Sequence, residues 1–379
     1  MIVLLSCFAP DSHYGGAAIV RSCLKAIPES RVHWISLSEP ANMVPVASSM
    51  LSVQHYKAPS FASISLRLGS FWEVFNVRLW SASLARKIAR VISELDPGVV
   101  WIVADCDVMS VANRLLPYLK NRRLHLTFHD DPMSNAITRR RSRGHLLHID
   151  AFLKAVAQRS FTADAVTEEL LADCAPSATR TALITVPVLR KNSLPFKAFA
   201  ATNILKIGYI GNFYGSEEFK CFVGGLKLWS NRTGREWNLD AFGDLALGNL
   251  DPRVNAHGYT PIDVVRQVLS DCDVLFLPLP VDPRSRQMQT CLPTKLVSYI
   301  ELGRPVFTFA PSDSATARIM NEAAIGPVVS ILDPEKTAAE LDKLFVWDSV
   351  AAENGWNRLL QDRLSETRIA RDFREIILV

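Results

Sequence analysis

"LPTKLVSYIELGRPV" (residues 292–306) is the stretch that decides the fold. Pro293 sits at a favoured position for helix initiation, and the apolar spacing from Leu296 to Leu302 is helical. Gly303-Arg304-Pro305 breaks the helix, and 306–310 (VFTFA) reads as a buried strand. An equally apolar run, DVLFLPLP (273–280), precedes it. Strand, helix and strand in this order define a crossover between parallel strands. Lys295 stands in the first turn of that helix, where a cation is unfavourable unless an anion lies nearby. The stretch therefore predicts an anion site behind a strand of a parallel sheet.

The same alternation extends in both directions. Strand-like runs occupy 2–9, 31–37, 98–104, 124–130 and 182–189, with helical spacing over 64–95 and over HIDAFLKAVAQRS. Residues 190–204 carry no periodicity. The pattern then restarts with strands at 205–213, 237–244, 254–259, 273–280, 304–310 and 326–332. Continuous apolar strands separated by helices indicate parallel sheets covered on both faces. The expected fold is α/β: two doubly wound Rossmann-like domains facing a cleft. Residues 1–190 form the first domain, 191–204 a linker and 205–350 the second domain. Residues 351–379 form a terminal helix, with a break, packing back on the first domain.

Composition narrows the class. A chain of 379 residues with 49% hydrophobic and 21% charged residues is globular and long enough for two cores. A net charge of +4 argues neither for nor against nucleic acid, but basic and aromatic residues are not interleaved on strands, so no nucleic-acid partner is expected. The seven cysteines are scattered without a C-x-x-C pair, which predicts reduced, incidental thiols. The first apolar run is too short for a signal peptide, and no run approaches the roughly 20 apolar residues of a membrane span. The expected location is the cytoplasm, with peripheral contact at the inner face of the membrane as an option.

In doubly wound sheets ligands bind beyond the carboxyl ends of the strands. The first half delivers Gly15-Gly16, Asp105-Cys106-Asp107 and His129-Asp130-Asp131 there. The second half delivers Gly211-Asn212, Gly243-Asp244, Gly258-Tyr259 and the loop from Gln287 to Lys295. Glycines that admit backbone amides, with acids, a histidine and a lysine, suit a sugar and a diphosphate. The ordered set IGYIGNF, LDAFGD, VNAHGYTP, SDCDVLFLPL and LPTKLVSYIELGRPV resembles the donor domain of family 4 glycosyltransferases with the GT-B architecture. HYGGAA, LTFHDD and SFTADAVTEELL resemble that family's acceptor domain.

The resemblance spans nearly the whole chain. It implies transfer of a sugar from a nucleotide-sugar donor to a glycan, glycoconjugate or lipid-linked acceptor, retaining and without a metal or other cofactor. It also implies residue roles. His129 and Asp130 fall at the catalytic strand end. Gly15, Gly16, Gly211, Asn212, Gly243, Tyr259, Gln289, Thr290, Thr294, Lys295, Ser298 and Glu301 fall on the donor side. Lys295 and the helix start would neutralise the diphosphate. Gly15-Gly16 reads equally well as an ordinary turn, and His129 as a turn residue held by Asp130 or Asp131.

Two departures stand out. The family places two glutamates eight apart where this chain has Thr290 and Ser298, so the ribose carboxylate is missing; Glu301, one turn on, is the substitute on offer. Asn212 replaces a family arginine, and Lys220 stands in only at a different spacing. The missing glutamates motivate a non-catalytic nucleotide- or partner-binding protein as one alternative, and a related GT-B inverting transferase or sugar epimerase is another. The D-x-D triplets at 105–107 and 271–273 read as turn and helix-end acids, not as a metal site. Arg139, Arg140, Arg141 and Arg143 form either a solvated face or the seat of an anionic acceptor or membrane surface. Phe71, Trp72, Phe75 and Trp80, with neighbouring basic residues, read as core or as an interfacial helix.

Overall fold

The computed structural model describes residues 1–9, 15–37, 52–56, 69–188, 194–196, 203–211, 215–243 and 250–378. The chain divides into two compact units, Met1–Val186 with Glu366–Val379, and Pro187–Ser365. The expected 191–204 linker lies largely outside the described residues.

In the first unit seven strands form one all-parallel sheet. They are β1 Ile2–Ser6, β2 Val32–Ser36, β3 Ser52–His55, β4 Val99–Val103, β5 Arg123–Phe128, β6 Thr162–Ala165 and β7 Arg180–Leu183, in the order β3-β2-β1-β4-β5-β6-β7. β1 and β4 are wholly buried, which is why their sequences are continuous apolar runs without alternation. β3, with its half-exposed SVQH, was not legible as a strand. The strand that overlaps the 182–189 run is Arg180–Leu183, so its ladder starts and ends earlier than the apolar run suggests, with Val188 in an isolated bridge to Ser365. The helix Glu366–Ile377 packs in this unit, setting Phe373 against Trp101 and His125.

In the second unit six parallel strands follow the order β10-β9-β8-β11-β12-β13: β8 Ile204–Ile210, β9 Glu236–Phe242, β10 Val254–Gly258, β11 Val274–Pro278, β12 Val306–Phe309 and β13 Val328–Val329. Numbered within the unit, this is 3-2-1-4-5-6, the order of dinucleotide-binding sheets, with its switch point between β8 and β11. Period-two alternation divides the core. Leu275 and Leu277 join Leu296, Tyr299, Met320 and Trp356 on one face. Val274 and Phe276 join Tyr209, Phe222, Trp229 and Phe307 on the other. Phe222 stacks on Phe276 with ring centroids 4.0 Å apart. The helix Ser349–Leu359 belongs to this unit and is separated from Glu366–Ile377 by the turn Leu360–Leu364.

Candidate functional site

The strongest convergence of expected residues lies at the carboxyl ends of β8 and β9. The helix Thr294–Ile300 presents Lys295 and Tyr299, one turn apart, to the end of β8. The Tyr299 hydroxyl accepts the Ile210 N–H at 2.8 Å, which fixes the last turn of that strand against the helix. The Lys295 ammonium donates to the Tyr209 hydroxyl at 3.4 Å and lies 5.0 Å from the centre of that ring. Burial holds the Lys295 ammonium down to about 8, against 10.5 for an ordinary lysine.

Glycine is required where the chain turns beneath this lysine. Gly211 has φ +119°, and a Cβ there would lie 3.2 Å from Lys295 Nζ. Gly243, at φ +108°, would place a Cβ 2.7 Å from the Gly211 carbonyl oxygen. The two turns are linked in series: Gly211 N–H donates to the Phe242 carbonyl at 2.9 Å, and Gly243 N–H to that of Gly258 at 2.8 Å. A desolvated cation over two glycine turns at the end of a parallel strand is an arrangement that accepts an anion. Glu218, which the sequence reading passed over, lies in the first turn of the helix Ser216–Thr233. It is buried and accepts the Val281 N–H at 3.0 Å, tying the chain after β11 to the chain after β8. The Glu217-Glu218 pair at a helix start was the available signal.

The other expected donor-side residues are either engaged by other groups or exposed. Thr290 is buried, and its hydroxyl returns to the Arg286 carbonyl at 2.9 Å. Glu301 is buried too, with its carboxylate 2.9 Å from Arg266 Nη1, so the ribose role offered to it meets a group already committed to a guanidinium. Ser298 and Thr294 are exposed on one face of their helix. Gln289 donates to the Pro283 carbonyl and to Asp313, each at 3.0 Å. Tyr259 projects into solvent, 83% exposed, after β10. Lys220 is exposed and paired with Glu217 at 2.7 Å. Asn212 and Asp244 lie outside the described residues.

In the first unit Gly16 and His129 meet. A Cβ on Gly16 would lie 2.6 Å from His129 Nδ1, so only glycine lets the helix Gly15–Leu24 start against the ring. Phe8 stacks parallel to the imidazole, with centroids 6.2 Å apart. His129 Nε2 is buried without a hydrogen-bond partner among the described residues. Burial lowers its pKa to about 4, opposed by Asp164, so the imidazole is neutral at pH 7. Asp131 caps the helix Pro132–Thr138, accepting from Met133 and Ser134 amides at 3.2 Å, and is thereby removed from chemistry. Asp130 is exposed as a residue; partial burial of its carboxyl, then Asp105 and Asp131, raise its pKa, and water screens the effect.

The arginine cluster faces inward more than its sequence suggests. Arg139 contacts Asp105 and Asp107, both at 2.9 Å, and Arg141 contacts Asp107 at 2.9 Å. Arg140, with φ +53°, is exposed. The Asp105-Cys106-Asp107 ligand atoms lie within 4.8 Å of one another. Arg139 occupies the carboxylates, however, and burial followed by Asp105 raises the Cys106 thiol, which disfavours the thiolate a metal needs. Of the second triplet, Asp271 ends the helix Ile262–Asp271, and Asp273 accepts the Lys206 N–H at 2.8 Å.

Two doubly wound units with this order of strands define the GT-B class of fold. No protein-family model matches the sequence, and no curated protein matches it. Solved structures do match. One is the lipopolysaccharide outer core galactosyltransferase WaaB in its apo form, with a TM-score of 0.67 and 16% identity over 100% of this chain and 99% of that one. A second is sucrose-phosphate synthase (tll1590) from Thermosynechococcus elongatus, at 0.66 and 14%, covering 99% and 97%. A third is apo OtsA, at 0.64 and 14%, covering 99% and 98%. At such identities the fold is what is shared.

Proposed function

We propose that this protein is a glycosyltransferase that takes a sugar from a nucleotide-sugar donor and passes it to a glycan or lipid-linked acceptor. The observation that carries the reading is Lys295, held over Gly211 and Gly243 at the end of β8. The fold shared with transferases supports it. In this reading the ammonium and the glycine turns take the diphosphate, and Lys295 gains its full charge as the anion replaces lost water. His129, neutral and packed beside Gly16, offers Nε2 to a sugar hydroxyl. Retention of the anomeric configuration and independence from metal belong to the same proposal by analogy with the family the sequence resembles.

A second reading has its own observation. Ser298 stands where the ribose carboxylate is expected and its substitute Glu301 is paired with Arg266, while Thr290, at the position expected to contact the donor sugar, turns its hydroxyl back to the helix. That favours a nucleotide-binding protein without turnover. A thermal-shift screen against UDP, GDP, ADP and their common sugar conjugates tests both, because a ligand of the native state raises stability by RT ln(1 + [L]/Kd). A rise with one base, abolished in Lys295→Ala, supports the donor site. No rise with any of them refutes it. Product formation with the donor so identified then separates the transferase from the silent binder.

A further inference from the structure

We infer that Thr316 is a positioning residue for Lys295, acting through the chain that leads into the lysine's helix. That chain, residues 279–293, joins β11 to the helix Thr294–Ile300 and has the short helix Arg286–Thr290 inside it. A connection of this length needs partners from other elements to keep one shape. Such partners hold it at its start, middle and end. The Val281 N–H donates to Glu218 at 3.0 Å, and Gln289 donates to Asp313 at 3.0 Å. At the end, the Thr316 hydroxyl donates to the Cys291 carbonyl at 2.8 Å.

Thr316 lies in the first turn of the helix Ala315–Glu322, wholly buried between Ala315 and Ala317. An apolar side chain would pack there without a partner, whereas a buried hydroxyl needs one. Its acceptor is 25 positions back, in the irregular chain that follows Thr290 and not in its own helix. Two stiff residues separate that carbonyl from the lysine's helix. Pro293 has its φ locked by the ring, here at −63°, and Leu292 before it is kept out of the helical region. Leu292 also packs on the core that contains Leu296 and Tyr299. The helix starts directly afterwards, with the Leu296 N–H donating to the Pro293 carbonyl at 2.9 Å. A shift at Cys291 is therefore passed on to Thr294 and Lys295. The lysine has little slack to absorb it: Nζ lies 3.4 Å from the Tyr209 hydroxyl, and a Cβ on Gly211 would stand 3.2 Å from Nζ. Even a small displacement changes both the burial of the ammonium and its aim at an anion.

The inference deepens the donor-site reading and rests on it for its consequence, but its test can be read without it. Thr316→Val keeps the shape and removes the hydroxyl; Thr316→Ser keeps the hydroxyl. Isotope-labelled methyl groups added to the lysines report the Lys295 titration by NMR, its signal identified by its loss in Lys295→Arg. Native Lys295 should titrate near 8. In Thr316→Val it should titrate closer to 10.5, as water reaches the displaced ammonium, and in Thr316→Ser it should return to near 8. Calorimetry with UDP, GDP and ADP should show about tenfold weaker binding by Thr316→Val of whichever the native protein binds, and binding within about twofold of native by Thr316→Ser. A native protein that binds none of the three refutes the donor reading and leaves the titration to decide this inference. A folded Thr316→Val chain whose Lys295 titrates as in the native protein overturns it, whatever its denaturant midpoint, because a threonine that only stabilises changes nothing else. So does a serine variant that titrates like the valine one. Thr316→Ala takes the place of Thr316→Val if the valine variant fails to fold.

Discussion

Replacing Lys295 with methionine should make the ligand-free protein more stable and the ligand-bound protein less so. Burial lowers the lysine from 10.5 to about 8. A depression of that size corresponds to roughly 3 kcal/mol of disfavoured charge in the folded state at neutral pH. The Tyr209 hydroxyl and ring return about 1–2 kcal/mol of this through the contacts at 3.4 Å and 5.0 Å. Methionine keeps the stem's packing and drops the charge, so the net gain is about 1–2 kcal/mol, or roughly 2–8 °C in Tm for a unit of this size. The sign with pH is fixed by linkage. The folded pKa lies below the unfolded one, so the penalty is complete below pH 8 and disappears as pH rises toward 10.5. The advantage of Lys295→Met should fade over that window. Denaturant unfolding at pH 7 and pH 10, with and without the nucleoside diphosphate that binds the native chain, reads all of this. A methionine variant that is less stable at pH 7, or that keeps the full ligand-induced shift, refutes the reasoning.

His129 should titrate near 4, because its folded pKa is lowered from 6.5 by burial. Stability should therefore fall as pH drops from 6.5 to 4, by roughly 2 kcal/mol, and His129→Gln should remove that slope in acid-unfolding curves. Gly243→Ala forces a Cβ to 2.7 Å from the Gly211 carbonyl at φ +108°. It should cost about 2 kcal/mol in denaturant unfolding and lower nucleotide affinity measured by calorimetry, whereas the exposed Ser298→Ala should change neither. Asp164 is fully buried, with His125 Nε2 and the Thr127 hydroxyl both at 2.7 Å; Asp164→Ala should destabilise by about 3–5 kcal/mol, seen as a lower denaturant midpoint.

The fold was legible because buried parallel strands leave a simple trace. VVWIV and VLFLP are apolar at every position since helices cover both faces of their sheets. Strand β3 left no such trace because its side chains are half in water. The site was legible where local backbone demands a residue type, as at Gly211 and Gly243, and where a charge stands in an unfavourable place, as at Lys295. It was not legible where partners come from elsewhere in the chain. Nothing near Glu301 announces Arg266, 35 positions back, and nothing near Arg139 announces that Asp105, 34 positions away, will claim it. The Tyr299 hydroxyl on the Ile210 amide, 89 positions apart, is of the same kind. Helical spacing from Lys295 puts that tyrosine on the right face but says nothing of the strand end it caps.

The central claim is that Lys295 and the glycine turns at the end of β8 receive the diphosphate of a sugar donor for transfer. Release of nucleoside diphosphate from a panel of nucleotide-sugars, followed with the native protein and with Lys295→Ala, measures it most directly. Release from one donor class by the native chain, with a loss of at least about a hundredfold in the variant, is the expected result. A native chain that releases diphosphate from none of the donors, or a Lys295→Ala variant that releases it at the native rate, would contradict the account.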